Sequence, residues 1–195
     1  MNDMNQILYA LILVFGTASY AVGLRQMIKG KYAPSVFSRV VWLLLAINSF
    51  AGVVISHSSS ASVLLAGIFL VGNAAICIAS FWKGTRHIGS LEYLCLVLLG
   101  LSAVVWIVFS APLINLALSL VAHFIGALPT YKRVLQKPSS ESVGFWSLFF
   151  IASVLSVIAS WGDPLKLIIF PIYFAFFDGS MTFLSMRHRG SPPPA

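Results

Sequence analysis

Long apolar runs broken by short polar connectors set the rhythm of this chain. Allowing about 20 apolar residues per bilayer crossing, the pattern predicts helices near residues 6–28, 36–56, 61–82, 90–110, 113–133, 143–161 and 165–186. The connectors hold the helix breakers: Gly30 and Pro34, His57 to Ser60, Lys83 to Gly89, Pro112, Lys137 to Ser140, and Gly162 to Pro164. The shortest of them, Ser110-Ala111-Pro112, predicts a tight hairpin between the fourth and fifth helices. The first apolar run is too long for a signal core and has Asp3 but no Lys or Arg on its flank, so it reads as a retained helix.

Composition agrees with a bilayer as solvent. Of 195 residues, 59% are hydrophobic and 9% charged, too few polar groups to cover a water-soluble surface. The net charge of +7 does not point to nucleic acid, because the basic residues sit in short clusters between apolar runs. Eleven of the twelve lie around the first, third and fifth connectors and the C-terminal end; Lys166 is the exception. The positive-inside rule then predicts an outside N-terminus and a cytoplasmic C-terminus, and the short loops suit a bacterial inner membrane. Trp82, Trp146, Trp106 and Trp161 fall near predicted helix ends and read as interfacial anchors.

Enzyme chemistry finds no foothold. Cys77 and Cys95 lie inside helices without metal-type spacing. No nucleophile stands beside a base, and no glycine-rich phosphate loop or HExxH occurs, so neither a cofactor nor a metal is expected.

The chain writes one signature twice. PSVFSRVVW from Pro34 returns 104 positions later as PSSESVGFW from Pro138, each copy just before an apolar run. Upstream, Leu24 falls on Leu128 and Lys29 on Arg133; downstream, after one residue of slippage, Asn73 falls on Asp178 and Ser80 on Ser185. Helices one to three therefore overlay helices five to seven, with helix four as an unpaired linker. One extra crossing lets both units face the membrane alike, the parallel-repeat arrangement. The predicted fold is an all-α membrane protein of seven transmembrane helices, two three-helix bundles joined by a linker helix (3+1+3). Its parts are a first bundle over 1–86, a linker over 87–111, a second bundle over 112–190, and a disordered tail over 191–195.

In this architecture the chain resembles the PQ-loop superfamily, which includes the SWEET sugar transporters and lysosomal amino-acid exporters. Pro129-Thr130, the basic loop and Lys137 to Ser142 look like that family's Pro-Gln dipeptide, loop and next helix start; the first half has Arg25-Gln26 at the same place. Each half keeps one member of the pair, the proline in one and the glutamine in the other. The resemblance implies a cavity lined by an asparagine and an aromatic residue from each bundle. The matching positions are Asn73 and Asp178, with Trp161 as one aromatic and Ser56 or His57 as its counterpart.

Physical reasoning adds roles of its own. Pro129 removes a helical hydrogen bond and offers a bend at the end of helix five. Gln26, Thr130, Pro34 and Pro138 cluster with it at the helix ends as candidate hinge or gate positions. Asp178, thirteen residues after Leu165, lies roughly 20 Å into helix seven, where a carboxyl group is functional by default. His123, roughly 15 Å into helix five, is its candidate partner in proton coupling. Asn48 and Asn115 read equally as packing amides or pocket groups.

Three classes follow. A transporter of a small polar solute, sugar or amino acid, working by alternating access and proton-coupled through Asp178, accounts for repeat, hinge and buried acid together. A seven-helix receptor of the same architecture calls for basic residues at membrane depth, and none is evident in the sequence. An intramembrane enzyme requires His123 and Asp178 to be its pair. The expected partners are a small solute, the bilayer and, compatibly, further copies of the chain, with nucleic acid excluded.

Overall fold

The computed structural model describes residues 3–30, 34–84, 86 and 90–187. The expected tail lies outside these. Among the described residues the chain forms α1 (Asp3–Ile28), α2 (Val36–Ile55), α3 (Ser60–Lys83), α4 (Ser90–Phe109), α5 (Pro112–Gln136), a 3-10 turn (Pro138–Ser140), α6 (Val143–Ala159) and α7 (Leu165–Met186), with no strand. Five of these, α1, α2, α3, α5 and α7, are long and apolar enough to cross a bilayer, so the chain is a multi-pass membrane protein. Helix α6 is shorter, 17 residues, and ends two positions before the sequence pattern suggested. The cause is local. Ser160 bonds back to Ser156 and Val157, and Gly162 takes a positive φ of 99° that only glycine adopts without strain, leading into Pro164.

Helix packing follows a regular scheme. Helix α3 packs against both α1 and α2, and α7 packs against both α5 and α6; between these groups α1 lies on α6 and α2 on α5. Helix α4 packs on α5 and touches α2, where Val41, Leu45, Cys95 and Ala122 form a small apolar cluster. Close approach depends on glycine at Gly72: a Cβ there would stand 2.2–2.4 Å from the Tyr20 ring.

The duplicated serine-rich signature starts its two helices differently. Ser35 caps α2 by accepting from the Ser38 amide, while in the second copy the 3-10 turn occupies Pro138–Ser140 and the later serine, Ser142, caps α6 through the Phe145 amide at 3.2 Å. The same residue pattern thus begins one helix three residues later in its copy, where the 3-10 turn occupies Pro138–Ser140.

Helix α7 contains a buried proline, Pro171. With no N–H it leaves the carbonyl four residues back, that of Leu167, without its helical donor. Two groups from α3 take the place: the Ser59 amide donates to Leu167 O at 3.3 Å and the Ser62 hydroxyl at 3.1 Å. A gap in one helix's ladder has become a joint between two helices.

Candidate functional site

Inward-facing residues of six helices converge on one small cavity, of ≈ 10 Å³ and so near the limit for a single water. Helix α3 contributes Asn73 and Phe69; α7 contributes Asp178, Phe174 and Phe177; α1 contributes Tyr20. His123 comes from α5, Arg39 and Trp42 from α2, and Phe145, Trp146 and Phe149 from α6. Helical spacing explains each set: Arg39 and Trp42 are three apart, Phe174 and Asp178 four apart, Phe69 and Asn73 four apart, so each pair shares a face.

Three of the polar groups foreseen from the sequence meet here. Asp178, 1% exposed, accepts a hydrogen bond from the Ser153 hydroxyl of α6 at 3.3 Å. Asn73 donates to the Tyr20 hydroxyl at 3.0 Å and to its own helix at Phe69 O, 2.8 Å away. His123, also 1% exposed, shares its Nδ1 with the Tyr173 hydroxyl at 2.8 Å, while its Nε2 is buried with no hydrogen-bond partner. His123 and Asp178 therefore share a cavity, each hydrogen-bonded to a different residue. Around them the walls are aromatic. The His123 ring lies 4.7 Å from Trp42 and 4.8 Å from Phe177, and Tyr20 meets Phe145 and Phe149 edge to face at 5.5 Å.

Polar contacts between helices flank this cavity on both sides along α6. At the end rich in basic residues, the Gln26 amide of α1 donates to the Ser142 hydroxyl of α6 at 2.6 Å, and the Ser19 hydroxyl to Phe145 O at 2.8 Å. A second small space there, of ≈ 20 Å³, is lined by Gln26, Arg39, Glu141, Ser142 and Trp146. Glu141 pairs with Arg133 at 4.0 Å; burial pushes its carboxyl up, opposed first by Arg39 and then by Arg133. Tyr131 joins α5 to α7 through Ser180. At the far end the caps of α3 and α6 meet: the Ser59 and Ser160 hydroxyls lie 2.6 Å apart, beside the Leu167 joint.

Other sequence-selected positions lie apart from the cavity. Trp161 is 87% exposed at the end of α6, as an interfacial anchor would be, and Ser56 bonds to Val53 O and Ser58 in the turn after α2, where His57 is exposed with a positive φ of 51°. Helix α5 runs unbroken through position 129, and Thr130 is half-buried there. Pro34 and Pro138 are buried at the starts of their helices. Asn48 joins Asn115 at 3.0 Å and Ser119 across α2 and α5, away from the cavity lining. Trp146 departs from its expected anchoring role: it is buried in the cavity wall, as is its repeat partner Trp42. Trp82, by contrast, is exposed, and the side chain of Trp106 lies outside the described ones.

Sequence reasoning missed Arg39, Trp42 and Tyr20. The signal was present for two of them: Trp42 and Trp146 are the tryptophans of the duplicated signature, and Arg39 stands one turn before Trp42, its guanidinium 5.1 Å from that ring. No protein-family model matches this chain, and no curated protein or solved structure matches it significantly.

Proposed function

We propose that this protein moves a small polar solute across the membrane by alternating access, with two three-helix bundles (3+1+3) rocking around the Asn73–Asp178 cavity. One observation carries the reading: a small cavity that brings an acid, an amide and an imidazole at membrane depth together with a guanidinium from the first turn of α2, flanked along α6 by hydrogen bonds between the halves. Intramembrane polar groups are costly, and closures of this size are weak enough to exchange.

The packing scheme supports the bundle assignment. Exchanging α1, α2, α3 for α5, α6, α7 turns the α1–α6 contact into the α5–α2 contact, and the central place of α3 into that of α7. This is the relation expected of parallel repeats about an axis along the membrane normal. Under the positive-inside rule the basic end, with Gln26 and Ser142, faces the cytoplasm and the Ser59–Ser160 end faces outward. Two hinges suit the motion: Pro129, from the sequence, and Pro171, whose missing hydrogen bond is filled from another helix.

The test is charge movement across proteoliposomes holding the purified protein, offered sugars and amino acids, with wild type beside Asp178→Asn. Substrate-dependent current that needs a proton gradient and is lost in the variant supports proton-coupled transport through Asp178. Isotope exchange in both proteins without current supports a uniporter, and absence of both overturns transport.

A further inference from the structure

Among the described residues, Arg39 lines both small spaces, the central cavity and the one beside the Gln26–Ser142 contact, as only Phe145 and Trp146 also do. It belongs to the first turn of α2, and its guanidinium stands over the Trp42 ring. On one side lie Asn73 and Asp178; on the other lies Glu141, whose side chain is 7% exposed in the connector before α6. Of the charges acting on Glu141, that of Arg39 favours its ionised form most, ahead of Arg133. Arg133 itself is half exposed, 4.0 Å away at the rim. The sequence repeat breaks here, since the position matching Arg39 is Val143.

We propose that Arg39 selects a solute carrying a carboxylate, and that the solute's carboxylate takes the guanidinium from Glu141 and so opens the basic end. The inference rests on the transport reading for its biological sense. Its physics is that of a shared charge. A planar guanidinium binds carboxylates in a fork, and only one can hold its best face. Glu141 is buried at a cost that its cations only partly offset, so removal of the stronger one leaves an under-neutralised acid in a dry place. Arg133 at the rim offers a way out. Following it into water carries the connector and Ser142 away from Gln26, and the contact that closes the basic end is lost.

Cys77 supplies the reporter. It is buried, 3% exposed, next to Ile76, which lines the same space, and within reach of the Arg39 charge. In nanodiscs, with Cys95 replaced by serine, the rate of Cys77 labelling by a polar maleimide is measured with acetate, L-alanine and succinate, each against its amide. Wild type should label faster with at least one carboxylate and with none of the amides. Arg39→Gln should label about tenfold faster without any solute and respond to none. Glu141→Gln, which keeps the shape and removes the charge, should stay protected and also respond to none. A wild-type rate that no carboxylate changes, equal responses to amides, or a retained response in both variants overturns the proposal. Uptake into proteoliposomes separates the two readings. Carboxylate-dependent labelling without uptake refutes transport and leaves the role of Arg39, whereas uptake of amides as readily as acids, with labelling unmoved, refutes Arg39 and leaves transport.

Discussion

The hydroxyls of Ser59 and Ser160 lie 2.6 Å apart, joining the first residue before α3 to the first after α6. Ser59 also caps α3 through the Ser62 amide at 3.1 Å, so it holds a helix end and an inter-helix contact with one oxygen. Ser59→Ala should cost about 1–2 kcal/mol and Ser160→Ala about 0.5–1.5 kcal/mol. The double variant should cost less than the two together, which thermal unfolding of all four proteins in one detergent measures. Strict additivity would show that the two hydroxyls do not act on each other.

Restoring the ladder of α7 should weaken the same end. Pro171→Ala supplies an N–H for the Leu167 carbonyl, which the Ser59 amide and Ser62 hydroxyl now occupy. Amide exchange at Ser59 should speed up markedly even if α7 itself becomes more regular. Unchanged exchange would mean that the carbonyl serves both helices at once.

Gly72 and Gly100 make a matched pair of tests. A Cβ at Gly72 would collide with the Tyr20 ring, which is wedged edge-on between Phe145 and Phe149, while nothing lies within 4 Å of the Gly100 position. Gly72→Ala should destabilise by about 1–3 kcal/mol and disturb the cavity. Gly100→Ala should be neutral or slightly stabilising. Comparable unfolding temperatures for the two variants would contradict the close packing of α1 on α3.

Most of the helix plan was legible in the sequence, and less of the site. Apolar runs located the helices to within a few residues, five of them long and apolar enough to cross a bilayer. Asn73, His123 and Asp178 stood out because polar groups are rare at such depth. Arg39 did not, since in the first turn of a helix it looks like one more member of a basic connector; only the packing of α2 on α3 and α5 turns it inward. Pro171 was hidden by its apolar neighbours, and its meaning lies in a carbonyl on another turn. Trp161 was selected through the family resemblance, but it lies beyond the end of α6, next to the positive φ of Gly162, and is exposed.

Acidity should act through Glu141. Burial raises its carboxyl above the usual glutamate range near 4.5, so the folded protein holds the proton more tightly than the unfolded chain. The associated stability is fully present below that range and is lost as pH rises through the raised value. Wild type minus Glu141→Gln in unfolding temperature should therefore fall as pH rises from the ordinary glutamate range through the raised value. A difference that grows with pH would reverse the sign and remove Glu141 from the account.

The two halves repeat a pattern, yet they do not present the same atoms to the cavity. Asn73 stands where its counterpart is Asp178, and His123 lines the cavity while its counterpart, Ser19, bonds instead to Phe145 O. A perfectly two-fold cavity would accept an elongated solute in either of two orientations with equal energy. Here one half offers an amide and the other an acid, so that degeneracy is lifted, and under the proposed reading a bound solute would have a head and a tail with respect to the chain.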